Sequence, residues 1–182
     1  MKKQTLLILA VLSISLSSFA QMPDFSERCK SEMQKLAFFV GDWKGTAVHN
    51  SREGQITIMQ SEHIEWKLQE TVLTIEGTGI QKNRQNGMEE IAFQALAVIN
   101  FDPMDNEFKF KSFVKEGHST DAYFKVDEDN KFEWGFDIPT GGKVRYKITL
   151  DDKKNTWYEI GEYSPDGTQW IKTIEMNLVK EQ

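Results

Sequence analysis

From Ile56 to Val179 the chain keeps returning to a period of two, with apolar side chains on alternate residues and turn-forming clusters between the runs. That period puts one set of side chains on one face of an extended strand. Ile56, Ile58, Ile64, Trp66 and Leu68 share one parity, and a second run over residues 72–80 follows after little more than Gln69 and Glu70. Ile91, Phe93, Ala95, Ala97, Ile99 and Phe101 alternate next, and Phe108 and Phe110 follow the turn DPMDN. Tyr123, or its neighbours Phe124 and Val126, belongs to a further strand that DEDN ends. Phe132, Trp134, Phe136 and Ile138 precede the turn PTGG; Val144, Tyr146, Ile148 and Leu150 precede DDKKN. Residues 157–163, the turn SPDG and residues 170–179 complete the pattern. With the strand after Gly41, the reading is about ten strands and no crossover helices, which excludes the parallel nucleotide-binding architectures. A barrel and a two-sheet sandwich both satisfy such a meander. The unbroken hairpin rhythm favours the barrel, because closure removes exposed edges. The expected fold is all-β: an antiparallel up-and-down β-barrel with one N-terminal amphipathic helix.

That helix precedes the strands. Asp24 or Ser26 can cap it, and Phe25, Cys29, Met33, Leu36, Ala37 and Val40 recur at spacings of three and four. Glu27, Lys30, Glu32 and Lys35 occupy the other face. Gly41 is placed to stop the helix, Trp43 begins the strand period, and Gly45 lets the backbone bend beside it. These three residues are expected to be structural, with the Trp43 indole sealing one end of a barrel.

The first residues read as a separate element. Lys2 and Lys3 precede an apolar run from Leu6 to about Leu16, followed by Ser17, Ser18, Phe19 and Ala20. This is the layout of a secretory signal peptide, and the run is short for a membrane span of roughly 20 apolar residues. The expectation is a leader over residues 1–20 and a single β-barrel domain over residues 21–182, exported to the periplasm or the exterior with no transmembrane anchor after cleavage. Loss of Lys2 and Lys3 takes the formal charge from −6 to −8, which argues against nucleic acid or an anionic membrane surface as partner. The single cysteine, Cys29, forms no internal disulfide. The sequence sets no oligomeric state.

Chemistry-bearing motifs are sparse. His49, His63 and His118 fall in different candidate strands and lack zinc-motif spacing, so no metal site is expected. Neither Gly77 and Gly79 nor Gly141 and Gly142 make a phosphate loop, and no nucleophile stands out. The polar interruptions say more. If Ile56, Ile58 and Ile64 face inward, so do Gln60 and Glu62; Glu76 shares parity with Val72 and Thr74, and Glu159 with Trp157 and Tyr163. A buried carboxylate is costly unless paired or wetted. Two solutions are open: bulges that turn these residues outward, or a partly polar cavity inside the barrel. Arg145 reaches such a carboxylate only if its strand presents the opposite face. Trp134, Phe136, Trp157, Tyr163 and Trp170 either line a pocket or fill the core. The candidate ligand-binding residues are Glu62, Trp66, Glu76, Trp134, Trp157, Glu159 and Tyr163.

The stretch LAFFVGDWKGTA, residues 36–47, resembles the start of calycin-type barrels, where a helix leads through a glycine to a Gly-x-Trp at the first strand. More narrowly, it resembles a secreted bacterial family of unknown function with a lipocalin-like fold, and it is similar to nitrobindin-type haem barrels. EIGEYSPDGTQWIKTIEMNL resembles that family's closing hairpin, a Glu strand joined by an Asp-Gly turn to a Trp strand. The resemblance implies that Trp43 closes one barrel end. Nitrobindin-type barrels hold haem through a histidine near the C-terminal end; no histidine follows His118 here, so no cofactor is expected. The expected function is non-catalytic binding of a small apolar or amphipathic molecule inside an exported barrel. The alternative is an envelope structural or protein-interaction module with a packed interior.

Overall fold

The computed structural model describes residues 23–51, 54–83, 85–128 and 130–181; the expected leader lies outside them. The α-helix α1 (Ser26–Met33) runs into a 3-10 turn (Gln34–Phe39), and ten strands follow: β1 (Gly41–Ser51), β2 (Gly54–Lys67), β3 (Val72–Lys82), β4 (Glu89–Asp102), β5 (Glu107–Val114), β6 (Ser119–Glu128), β7 (Lys131–Asp137), β8 (Lys143–Asp151), β9 (Thr156–Ser164) and β10 (Ile171–Lys180). Each strand pairs antiparallel with its chain neighbours, and β1 pairs with both β2 and β10, so the sheet closes on itself. The all-β barrel expected from the alternation is the observed fold.

The helix closes one end of it. After Met33 the chain tightens from α to 3-10, whose period of three aligns residues i and i+3. Met33, Leu36 and Phe39 therefore all point into the barrel mouth, each buried almost completely. The same tightening leaves Ala37 exposed, against the expectation that it joins the covered face. Asp24 accepts the Ser26 backbone N–H at 2.9 Å. Arg28 bonds the Pro103 carbonyl and the Asn106 side chain in the β4–β5 turn, and Gln34 donates to Glu70 in the β2–β3 turn.

Gly41 has φ +125°, a conformation that favours glycine, and turns the chain from helix into β1. Two residues on, Trp43 is fully buried. Its indole N–H donates to the Phe39 carbonyl at 2.6 Å, and its ring meets Trp157 and Phe38 edge-on, each at 5.7 Å. Phe39 packs against Phe132 and Trp157 at 4.7 and 5.0 Å. Lys180 caps the cluster from β10, donating to the Phe38 carbonyl at 2.9 Å with its ammonium over the Phe38 and Trp43 rings. Gly45 serves close approach: a Cβ there would collide with the Asn177 carbonyl on β10.

The outer face is charged, with pairs such as Lys111–Asp121, Arg145–Glu162 and Lys172–Glu175. A lipid-facing barrel carries an apolar outer band instead. Among the described residues no helix is long and apolar enough to cross a membrane.

Three strand-level expectations need correction. Leu68 lies beyond β2 in a turn, 75% exposed with φ +48°, and does not share the inward parity of Ile64. Ile91 is exposed because the β3–β4 register shifts beside it. His118 sits in the turn before β6 rather than in a strand.

Candidate functional site: the barrel interior

Away from the helix the interior is not filled. A cavity of about 480 Å³ lies between the Trp157 level and the opposite barrel end, where exposed His49 and Phe93 mark its mouth. Registered pairing explains the space. Directly paired residues on neighbouring strands share a face; Gln60 pairs with Gly79, Glu62 with Gly77, Gly77 with Ala95 and Ile75 with Ala97. A patch of glycine and alanine thus faces inward where larger residues would fill the barrel. Cβ atoms built on Gly77 and Gly79 would lie 2.7 Å from Glu62 Oε2 and 2.8 Å from Gln60 Oε1. These two glycines make room for two polar side chains.

The wall opposite is aromatic. Tyr146 stacks on Trp134 at 4.0 Å and Trp134 on Phe110 at 4.7 Å, both nearly parallel. Trp134 belongs to β7, five strands around the barrel from β2 in either direction. The cavity is therefore two-sided, with stacked rings across from Gln60 and Glu62 and with Glu159 contributed by β9.

The two glutamates are 8% and 7% exposed. Gln60 Nε2 donates to Glu62 Oε1 at 2.7 Å, and Trp157 Nε1 to Glu159 Oε2 at 3.0 Å; the Trp134 side chain also hydrogen-bonds Glu159. Burial raises Glu62 to about 7 despite the Gln60 hydrogen bond. Burial, with repulsion from Glu62, raises Glu159 to about 8. The pair thus retains protons at neutral pH that an exposed carboxyl releases. Tyr146 is pushed up to about 12, first by burial and then by Glu159.

Of the candidate residues, Glu62, Trp134, Trp157 and Glu159 meet in this cavity. No bulge turns Gln60, Glu62 or Glu159 outward. Glu76 does face outward and is exposed: pairing of Glu62 with Gly77 turns Gly77 inward, and the adjacent residue must point away. Trp66 packs against the core beside Leu73, its β3 partner, outside the cavity wall. Tyr163 lies farther along β9, against the turn at Gly142, also outside that wall. Trp170 stacks on the Arg145 guanidinium at 3.8 Å, and Arg145 pairs with Glu162 on the outer face rather than with an interior carboxylate. His63 bonds Asp42 on the outside. Among the described residues no group of three or more His, Cys, Asp or Glu is arranged to hold a metal ion. Tyr146, Ala95 and Ala97 were not among the candidate site residues, and Gly77 and Gly79 entered the sequence analysis only as glycines that make no phosphate loop. Small residues at matching inward positions of consecutive strands were the available signal.

Fold and site define a class: a closed ten-stranded antiparallel barrel with one N-terminal helix, consistent with a calycin or lipocalin-like fold and compatible with housing a small apolar ligand. No protein-family profile matches the chain, and no curated protein matches it.

Proposed function

We propose that this protein binds a small apolar or amphipathic molecule inside the barrel, without chemical conversion. The observation that carries the reading is the cavity of about 480 Å³, within the size range of ligand sites, walled by stacked rings and small residues. A packed interior, which the envelope-module alternative assumes, does not fit that volume. The uncharged dye N-phenylnaphthylamine tests it. Wild-type protein binds the dye one to one with enhanced fluorescence. Ala95→Trp, which places an indole in the half-buried cavity wall, abolishes binding while far-UV circular dichroism is retained. Equal binding by both proteins would place the dye elsewhere and overturn the reading.

The leader-like residues 1–20, with Lys2 and Lys3 before an apolar run and a small-residue site, support export as the setting. Mass spectrometry of protein recovered from its native host is expected to give a chain beginning at Gln21. A chain beginning at Met1 would contradict export by cleavage.

A further inference from the structure

Among the described residues no cation faces the two interior carboxyls. Among the described residues, His49 on β1, Glu62 on β2, Tyr146 on β8 and Glu159 on β9 are the titratable side chains of the cavity wall; the other six strands add none, and the wall holds no Lys or Arg. The cations nearest in sequence register, Arg145 and Lys147, are both committed to Glu162 outside the barrel. Neither interior glutamate forms an ion pair among the described residues. Glu62 Oε2 receives no hydrogen bond from them either, because Gln60 takes Oε1. Buried carboxyls are ordinarily paired and fully hydrogen-bonded. Glu159 has its indole donors, whereas Glu62 Oε2 opens on the cavity, next to an apolar volume with an aromatic wall.

Resting on the reading of the cavity as a ligand site, we propose that its ligand is a small aromatic or apolar amine. Its nitrogen is held by Glu62 and Glu159, and its body lies along Tyr146, Trp134 and Phe110. An ammonium group supplies both missing elements at once, a positive charge and several N–H donors. The aromatic faces add a cation–π attraction that grows as water is excluded, and a charge-assisted hydrogen bond is stronger than the neutral one an alcohol makes. The proton balance is simple. A protonated amine entering beside a neutral carboxyl leaves an ammonium–carboxylate pair and releases one proton to solvent. Affinity for the amine therefore rises with pH until the carboxyls ionise without help, while affinity for a neutral analogue does not.

The test uses three probes of matched shape: phenylbutylamine, phenylbutanol and phenylbutyrate, titrated calorimetrically into wild type and the Glu62→Gln/Glu159→Gln variant. At about pH 8.5 the amine binds wild type at least about tenfold more tightly than the alcohol, and the carboxylate binds weakest. In the variant the amine no longer binds more tightly than the alcohol. Between about pH 5.5 and 7 the amine affinity climbs by up to about tenfold per unit, with about one proton released per binding event as read in buffers of different ionisation enthalpy. An alcohol that binds as tightly as the amine, or an amine advantage that survives in the variant, overturns the assignment and leaves the cavity reading intact. Failure of all three probes to bind overturns both.

Discussion

Glu159 carries the clearest cost in the molecule. Its ordinary carboxyl value is 4.5, and burial plus the nearby Glu62 raises it to about 8 in the folded chain. Across that window the unfolded chain has lost its proton and the folded chain keeps it, so stability falls as pH rises from about 4.5 to about 8, then levels. Glu159→Gln removes that slope while leaving an oxygen for the Trp157 indole. In urea denaturation the variant is expected to differ little from wild type at about pH 5, and to be more stable by about 2–4 kcal/mol at about pH 8.5. A difference independent of pH would contradict an interior, proton-holding Glu159. At this scale strand parity marked Gln60, Glu62 and Glu159 as inward but left an outward-turning bulge open, which the unshifted register excludes. Glu76 was not legible in this way, because its run alternates acceptably on either parity. Pairing of Glu62 with Gly77, a long-range fact of register, decides which face is inward.

At the scale of elements, the helix–strand junction is where local sequence and barrel geometry agree best. Gly41 turns the chain, and Trp43 closes the end by packing on Phe38 and Trp157 and binding the Phe39 carbonyl. Trp43→Ala is expected to cost about 3–5 kcal/mol, the range for a large buried aromatic. Trp43→Phe keeps most of the ring but leaves that carbonyl unmet, at about 1–3 kcal/mol. Chemical denaturation of both variants checks the order; equal losses would show that the ring retained in Trp43→Phe contributes nothing, and a Trp43→Phe variant as stable as wild type would show that the hydrogen bond contributes nothing. The helix itself was legible from apolar spacing, but its change to 3-10 at Gln34 was not. Only the shape of the barrel mouth, which takes Leu36 and Phe39 together, selects period three over 3.6. The β2–β3 turn was harder still: Leu68, Gln69 and Glu70 all adopt positive φ, and none is a residue type that announces it.

At the scale of the whole molecule, ten alternating runs joined by short turns left closure as the economical arrangement, and β1 completes it by pairing with β10. What alternation cannot convey is how much of the interior is filled. Phe, Trp and Leu crowd the helix end, whereas Gly77, Gly79, Ala95 and Ala97 coincide near the other end only once the strands are in register. The cavity is a property of alignment between strands, and each strand alone reads as ordinary core. Its occupancy is thus the point on which the functional account stands. A crystal structure of the protein grown with N-phenylnaphthylamine measures it directly. The account predicts dye density inside the barrel, stacked along Trp134 and Tyr146 and reaching toward Glu62. An interior closed by rearranged side chains, with the dye bound only on the outer face near Leu96 and Phe113, would contradict it.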